Sequence, residues 1–333
     1  MIIEDGGEFL SKRVLEQYKY KFNQGTWEWW DIKSDGWSSP LLTELEEEMP
    51  ETRAWLKVIK EVESNYLSVH YLDGRDPILF GTLHYSVKES LISNHNARMF
   101  HFFVHGKRLV TLNLDQRTRM FMCSEDRVRM LDECRSGADG LFVLVRILLH
   151  YFQNGMDYFE LNLRPLEENM KKNNARTLMD KILDSRFELL YWSNMFVPFQ
   201  ELISASREAY LNALDDNPFF QRMLYRVERM QRLFEHYERE IDTLISIDNA
   251  ISGFRGNEIT KTLTIVTAVF TPATVVGAIW GMNFENLLWI KTPWGFTVVM
   301  MATLISMGGM YIWMRKKGFT GDLLRAGKKE RNI

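Results

Sequence analysis

Twelve residues spaced alternately three and four apart are all small: Thr243, Ser246, Ala250, Gly253, Asn257, Thr260, Thr264, Thr267, Thr271, Thr274, Ala278 and Gly281. On a helix this spacing puts them on one face. None is charged or bulky, while intervening positions such as Ile259, Leu263, Ile265, Phe270 and Trp280 are apolar. Two chemistries fit such a stripe. Small residues let apolar helices approach closely, with hydroxyls bonding across the contact; alternatively, hydroxyls and amides line a water-filled path for ions. The five threonines from Thr260 to Thr274 favour a lining, because a packing seam is served as well by Ala and Gly. A carboxylate-free oxygen lining suits a hydrated cation, and Mg2+ in particular, which gives up its water reluctantly and is held through its shell. The stripe ends in Gly281, Met282 and Asn283, where Asn283 would set an amide at the mouth of such a path. Glu285 just beyond either attracts cations or is an ordinary solvated acid.

The elements that carry these residues are apolar helices. Thr262 to Phe284 and Thr292 to Met314 are each 23 residues long and contain no charged residue, close to the roughly 20 needed to cross a bilayer core. A core helix of a soluble protein usually keeps a polar face, which argues against two buried soluble helices. Arg315, Lys316 and Lys317 close the second segment, Arg325, Lys328, Lys329 and Arg331 follow, and Arg255 and Lys261 precede the first. Basic flanks collect on the cytoplasmic side, so the expectation is a multi-pass protein of the plasma membrane with both termini cytoplasmic. The first twenty residues have no apolar run of the kind found in a cleaved signal peptide. Two cysteines, Cys123 and Cys134, fit a reducing compartment and read as ordinary thiols.

The net charge of -3 conceals a division. From Lys261 onward nine basic residues face three acidic ones, a net of +6, which leaves -9 on the first 260 residues. An acidic body repels nucleic acid and raises the local concentration of cations. No phosphate-binding glycine loop, nucleophile motif or paired-carboxylate constellation is present, so neither an enzyme nor ATP-driven transport is expected, and no cofactor. His101 and His105 flank FFV in a predicted strand, where four residues span about 13 Å, too far for one metal site. His70, His84 and His95 show no ligand spacing either.

Before the membrane, YLSVHYL, ILFGTLHYS, RMFHFFVHG and RLVTLNL read as an antiparallel meander between about Tyr66 and Leu114, with Asp73-Gly74 and Gly106-Lys107 as turns. From Leu141 the pattern turns helical: one stretch ends near Lys172 and another runs from Ala175 to Ala213, where Pro198 is expected to kink or break it. Asn217-Pro218 is a strong helix start. Met223, Val227, Met230, Phe234, Tyr237, Ile241 and Leu244 then recur at coiled-coil spacing. Continued to Gly281 this helix is 65 residues, about 97 Å. A helix so long is expected to need sister helices along that seam, and hence an oligomer. The resulting layout is an α/β domain with following helices at 1–215, a stalk helix at 217–260, a transmembrane hairpin at 261–314 with spans at about 262–282 and 292–314, and a basic cytoplasmic tail at 315–333.

Gly-Met-Asn followed by Phe-Glu, two C-terminal apolar helices, RKKGF after the second, and TKTLTIVTAVFTPATVVGAIW before the triplet together resemble the CorA-type magnesium transporter superfamily. The likeness is close over about Asn257 to Phe319; further upstream only the order of elements agrees. It implies a homopentameric funnel in the bilayer with the first span around a central pore, Mg2+ as substrate and as a regulatory ligand, and Gly281, Met282 and Asn283 as the selectivity motif. Asn257, Leu263 and Thr274 match family pore positions; Thr260 and Thr271 align where the family often has Met, which shifts closure toward Leu263. With Thr264 and Thr267 these make up the expected pore lining. The family's Met-Pro-Glu-Leu loop is replaced by Asn286, Leu287, Leu288 and Trp289. Regulatory ligands do not carry over, since the aligned stalk position is Arg222; Asp215, Asp216, Glu228 and Asp248 are the alternatives the sequence offers. The expected function is gradient-driven Mg2+ uptake gated by cytoplasmic ion binding. Carriage of Zn2+, Co2+ or Ni2+ on the same fold, and a non-conducting membrane-anchored scaffold or sensor, remain as alternatives.

Overall fold

A computed structural model describes residues 3–4, 16–34, 36–71, 76–87, 97–172, 176–282 and 292–319. The chain divides into two compact units, Met1–Ile245 and Ser246–Ile333.

In the first unit the described strands form one sheet, ordered β1-β2-β3-β7-β6-β5-β4. The strands are β1 (Ile3–Glu4), β2 (Glu16–Phe22), β3 (Trp27–Lys33), β4 (Tyr66–His70), β5 (Ile78–Ser86), β6 (Ala97–His105) and β7 (Arg108–Leu112). The expected meander is present: β4, β5, β6 and β7 pair antiparallel in succession. Sequence reasoning missed β2 and β3, which extend the sheet through a parallel β3–β7 pairing. Trp29 Nε1 donates to Thr111 Oγ1 at 2.9 Å across that junction, and Thr111 Oγ1 donates to Asp31 Oδ1 at 2.7 Å. The Arg119 guanidinium caps the network on Asp31.

Both faces of the sheet are covered, so successive residues along each strand enter different cores. Trp27 and Trp29, Leu79 and Leu83, and Phe100 and Phe102 pack on one side. Trp30 and Ile32, Phe80, Phe103 and Val110 pack on the other, under α1 (Pro40–Glu48) and α2 (Thr52–Ile59). Two short helices, α3 (Gln116–Met122) and α4 (Glu125–Glu133), lead to the long helices α5 (Gly137–Lys172) and α6 (Arg176–Tyr210) on the first side. Gly155 lets α6 approach α5, because a Cβ there would stand 2.4 Å from the Trp192 ring. Helix α6 runs through Pro198 without the break that was one of the two expected outcomes. Phe196 and Phe199 beside it are buried in the core, and that packing holds the helix through the missing N–H.

Helix α7 (Pro218–Trp280) is continuous over 63 residues. Its start is as anticipated: Asn217 Oδ1 accepts from the N–H groups of Phe219 and Phe220 at 2.9 and 3.0 Å. The seam from Met223 to Leu244 is buried, yet by the chain's own helices rather than by sister stalks. Phe234 lies 5.0 Å from Phe196 of α6 and Tyr237 lies 5.5 Å from Phe159 of α5, ring centre to centre. The Tyr237 hydroxyl also donates to Glu160 at 2.9 Å. Heptad spacing identifies a buried face, and here intrachain packing satisfies it. The second unit holds the rest of α7 and α8 (Gly295–Lys316).

Candidate ion pathway on the C-terminal helices

Two described helices, α7 and α8, contain stretches long and apolar enough to cross a membrane. The α7 stretch has two differently used faces. Ile265 is buried, and Ala268, Val269, Pro272 and Val276 are half-buried. A cavity of about 430 Å³ is lined by Thr271, Pro272, Val275 and Val276 of α7 and by Val299, Ala302, Thr303, Ser306 and Met310 of α8. The Thr303 hydroxyl is turned inward to its own helix, donating to Val299 O at 2.8 Å. Thr303 and Ser306 were not singled out in the sequence, where they look like chance polar residues in an apolar run.

The other face carries the stripe. All twelve residues from Thr243 to Gly281 are exposed in the single chain, and a Cβ added at Gly253 would meet nothing within 4 Å. Asn257, Thr260, Thr264, Thr267, Thr271 and Thr274 therefore share one exposed face, with Leu263, 65% exposed, at its edge and Thr271 also bordering the cavity beside α8. Each threonine hydroxyl donates back along the helix: Thr260 to Gly256 O at 3.0 Å, Thr264 to Thr260 O at 2.8 Å, and Thr267 to Leu263 O at 2.9 Å. Thr271 donates to Thr267 O at 2.7 Å and Thr274 to Thr271 O at 2.8 Å. The proton of each hydroxyl is thus engaged, and what each oxygen has left to offer is lone pairs. An exposed row of acceptors can bond to water hydrogens of a hydrated cation. Toward the lower end of the stripe, Asn257, Thr260, Lys261 and Thr264 share a groove with Lys317, Gly318 and Phe319.

Gly281 and Met282 follow the last turn of α7, the Gly281 N–H donating to Gly277 O at 2.9 Å and Met282 being exposed. Asn283 and Glu285, expected at the mouth, lie outside the described residues, as do the tail residues from 320 onward.

The acids considered as regulatory ligands are not gathered in one chain. Asp215 and Asp216 are exposed ahead of the first turn of α7, Glu228 is half-buried three turns into it, and Asp248 belongs to the second unit. Among the described residues, no three His, Cys, Asp or Glu side chains are grouped to hold a metal ion. His101 is a core residue: its Nδ1 lies 2.7 Å from the Thr82 hydroxyl, and burial lowers its pKa to about 4. Cys123 and Cys134 are free thiols.

The profile of the CorA-like Mg2+ transporter protein family matches residues 41–316. The chain belongs to this family. One curated relative, the magnesium transport protein CorA of Bacillus subtilis, is 28% identical over 282 residues, covering 85% of this chain and 88% of the relative. The cobalt/magnesium transport protein CorA of Methanocaldococcus jannaschii is 27% identical over 159 residues, 47% of this chain and 50% of its own. The complete structure of the CorA magnesium transporter from Methanocaldococcus jannaschii superposes with a TM-score of 0.65 at 18% identity, covering 93% of this chain and 94% of that one. This likeness shows the fold: an α/β N-terminal domain, a long helix and two C-terminal apolar helices. The CorA-like chain is accordingly a member of a family of metal-ion transporters of membranes, with α7 and α8 as its candidate spans.

Proposed function

We propose that this CorA-like chain is a divalent-cation channel that takes up Mg2+ down its electrochemical gradient, as a homopentamer whose α7 helices surround the pore. The observation that carries the reading is the stripe, exposed in the single chain at all twelve positions and presenting threonine oxygens as acceptors. A hydrated Mg2+ offers water hydrogens in every direction, and acceptors without negative charge hold it through them without trapping it. Asn257, Thr260, Leu263, Thr264, Thr267, Thr271 and Thr274 line the path in this reading, and Gly281, Met282 and Asn283 select the ion at its outer mouth, with Glu285 beyond. Basic residues after α8 and before the span set both termini in the cytoplasm. An inside-negative potential then contributes about 4.6 kcal/mol per 100 mV for a divalent ion.

Asp215, Asp216, Glu228 and Asp248 are the proposed regulatory acids. Because a single chain does not gather them, they would hold Mg2+ between copies. Co2+ is the second substrate reading, favoured by the name of the Methanocaldococcus relative.

The test is influx into proteoliposomes, with Mg2+, Co2+ and Zn2+ in parallel and Asn283→Ala beside the wild type. Influx greatest for Mg2+ and lost in the variant supports the reading. Preference for Co2+ or Zn2+ reassigns the substrate, and no influx of any ion from assembled, inserted protein points to a scaffold.

A further inference from the structure

Helices α5 and α7 run parallel in a fixed register. Phe142 meets Phe220 and Phe159 meets Tyr237, with ring centres 5.3 and 5.5 Å apart and the same offset of 78 residues. Within that register two rows with i, i+4, i+7 spacing come alongside each other: Arg146, His150 and Gln153 on α5, and Arg222, Arg226 and Arg229 on α7. Gln153 Oε1 accepts from both Arg226 and Arg229, at 3.2 and 3.3 Å. Arg127 of α4 lies over the ring of Phe121, and Phe121 in turn stacks on His150 with ring centres 6.2 Å apart.

These five guanidiniums form no ion pair among the described residues. Nε and Nη1 of Arg146 and Nε of Arg226 are buried without a hydrogen-bond partner. Burial and the neighbouring Arg229, Arg146 and Arg127 lower the pKa of Arg226 to about 10. Burial, then Arg127 and Arg222, lower that of Arg146 as well. Burial, then Arg226 and Arg127, depress His150, with Asp157 opposing. Gathering like charges around buried, unsatisfied donors is unfavourable unless something negative completes the site. The first 260 residues carry -9 overall, so this basic patch runs against the charge of its surroundings.

We propose that the patch of Arg127, Arg146, Arg222, Arg226 and Arg229 is a binding site for a compact polyanion of the phosphate class, held by several guanidinium forks at once. A single carboxylate supplies one charge and two acceptor atoms, whereas a polyphosphate supplies several of each in a small volume, matching a cluster of forks. Phe121 lies beside it, 39% exposed between its contacts with Arg127 and His150, and its exposed part offers an apolar contact for a nucleobase. Free polyphosphate and the phosphate chain of a nucleoside triphosphate share this chemistry, and the ring distinguishes them.

The site is tested on the full chain in detergent, in EDTA throughout so that chelation of metal does not vary between samples. Calorimetric titrations with tripolyphosphate and with ATP are paired with thermal melts of the wild type, Arg226→Gln and Arg229→Gln. The expected result is saturable binding that either substitution weakens about tenfold or more. In the absence of anion, each variant should melt higher than the wild type, since one of several crowded like charges is gone. Tighter binding of ATP than of tripolyphosphate, lost in Phe121→Ala, places a nucleotide there, and equal binding places a simple polyphosphate. No saturable binding of either anion, binding that neither variant changes, or a lower anion-free melting temperature for the exposed Arg229→Gln would each overturn the proposal.

Discussion

Thr267→Val separates a conducting stripe from a packing seam. The substitution keeps the β-branched shape and replaces the hydroxyl with a methyl. In the structure the Thr267 hydroxyl is exposed and its proton goes to Leu263 O at 2.9 Å. Losing that local bond changes helix stability little, because back-bonding of this kind is itself weakly unfavourable to a helix. The Thr267 carbonyl still accepts from Thr271 at 2.7 Å, so the next hydroxyl in the row is undisturbed. What disappears is an outward acceptor. If copies of α7 surround the ion, two or three shell waters lose a partner at this level. At about 0.5–1.5 kcal/mol for each neutral hydrogen bond, the barrier rises by about 2 kcal/mol, or about 30-fold in flux. The assay is initial Mg2+ influx into proteoliposomes at matched protein content, with assembly checked by size exclusion and stability by thermal melt. Flux within twofold of the wild type from properly assembled Thr267→Val would refute the reasoning and return the stripe to helix packing, where Val serves as well as Thr.

Two further predictions concern the body that carries this helix. Phe234→Ala removes a ring packed on Phe196 in the first unit, and should cost about 3–5 kcal/mol in denaturant unfolding; a cost below 1 kcal/mol would mean that the seam is covered in some other way. Burial, followed by the nearby Glu167 and Glu160, raises the pKa of Glu240 to about 7, while His236 approaches it at 3.6 Å. Because the folded state binds this proton more tightly than the unfolded chain, the contribution is full below about 4.5 and is lost as the pH rises through about 7. Glu240→Gln should therefore melt at the same temperature as the wild type at pH 5 and higher at pH 8, and equal melting temperatures at both would contradict the shift.

Much of the architecture was legible because its signals are local. Asn217-Pro218 announces the start of α7 by capping chemistry that needs no distant partner. The strands from Tyr66 to Leu112 are separated by turn residues, so their antiparallel pairing follows from proximity along the chain. β3 was not legible: Trp27 to Ile32 is buried on both faces except at Glu28, which erases the period-two alternation that marks a half-exposed strand. Its parallel partner β7 is about 80 residues away, a pairing that no local signal reports. That α6 passes Pro198 unbroken was not legible for the complementary reason: the local cost is real, but Phe196 and Phe199 beside it pack on Phe152 and Phe234, which are distant in sequence.

For the candidate pathway the division is similar. The sequence alone determined which residues share a helix face, that two helices are long and apolar enough for a membrane, and which family the C-terminal motif resembles, because spacing along a helix fixes angle and charge fixes solvent preference. Only the tertiary structure decided what covers each face. The Met223 to Leu244 seam is filled by α5 and α6, Pro272 and Val276 face α8, and the threonine stripe is left exposed together with apolar neighbours such as Ile259, Leu263 and Phe270, its hydroxyl protons turned inward. Periodicity makes a face available for burial, but the partner that buries it is chosen by long-range packing, which spacing does not encode.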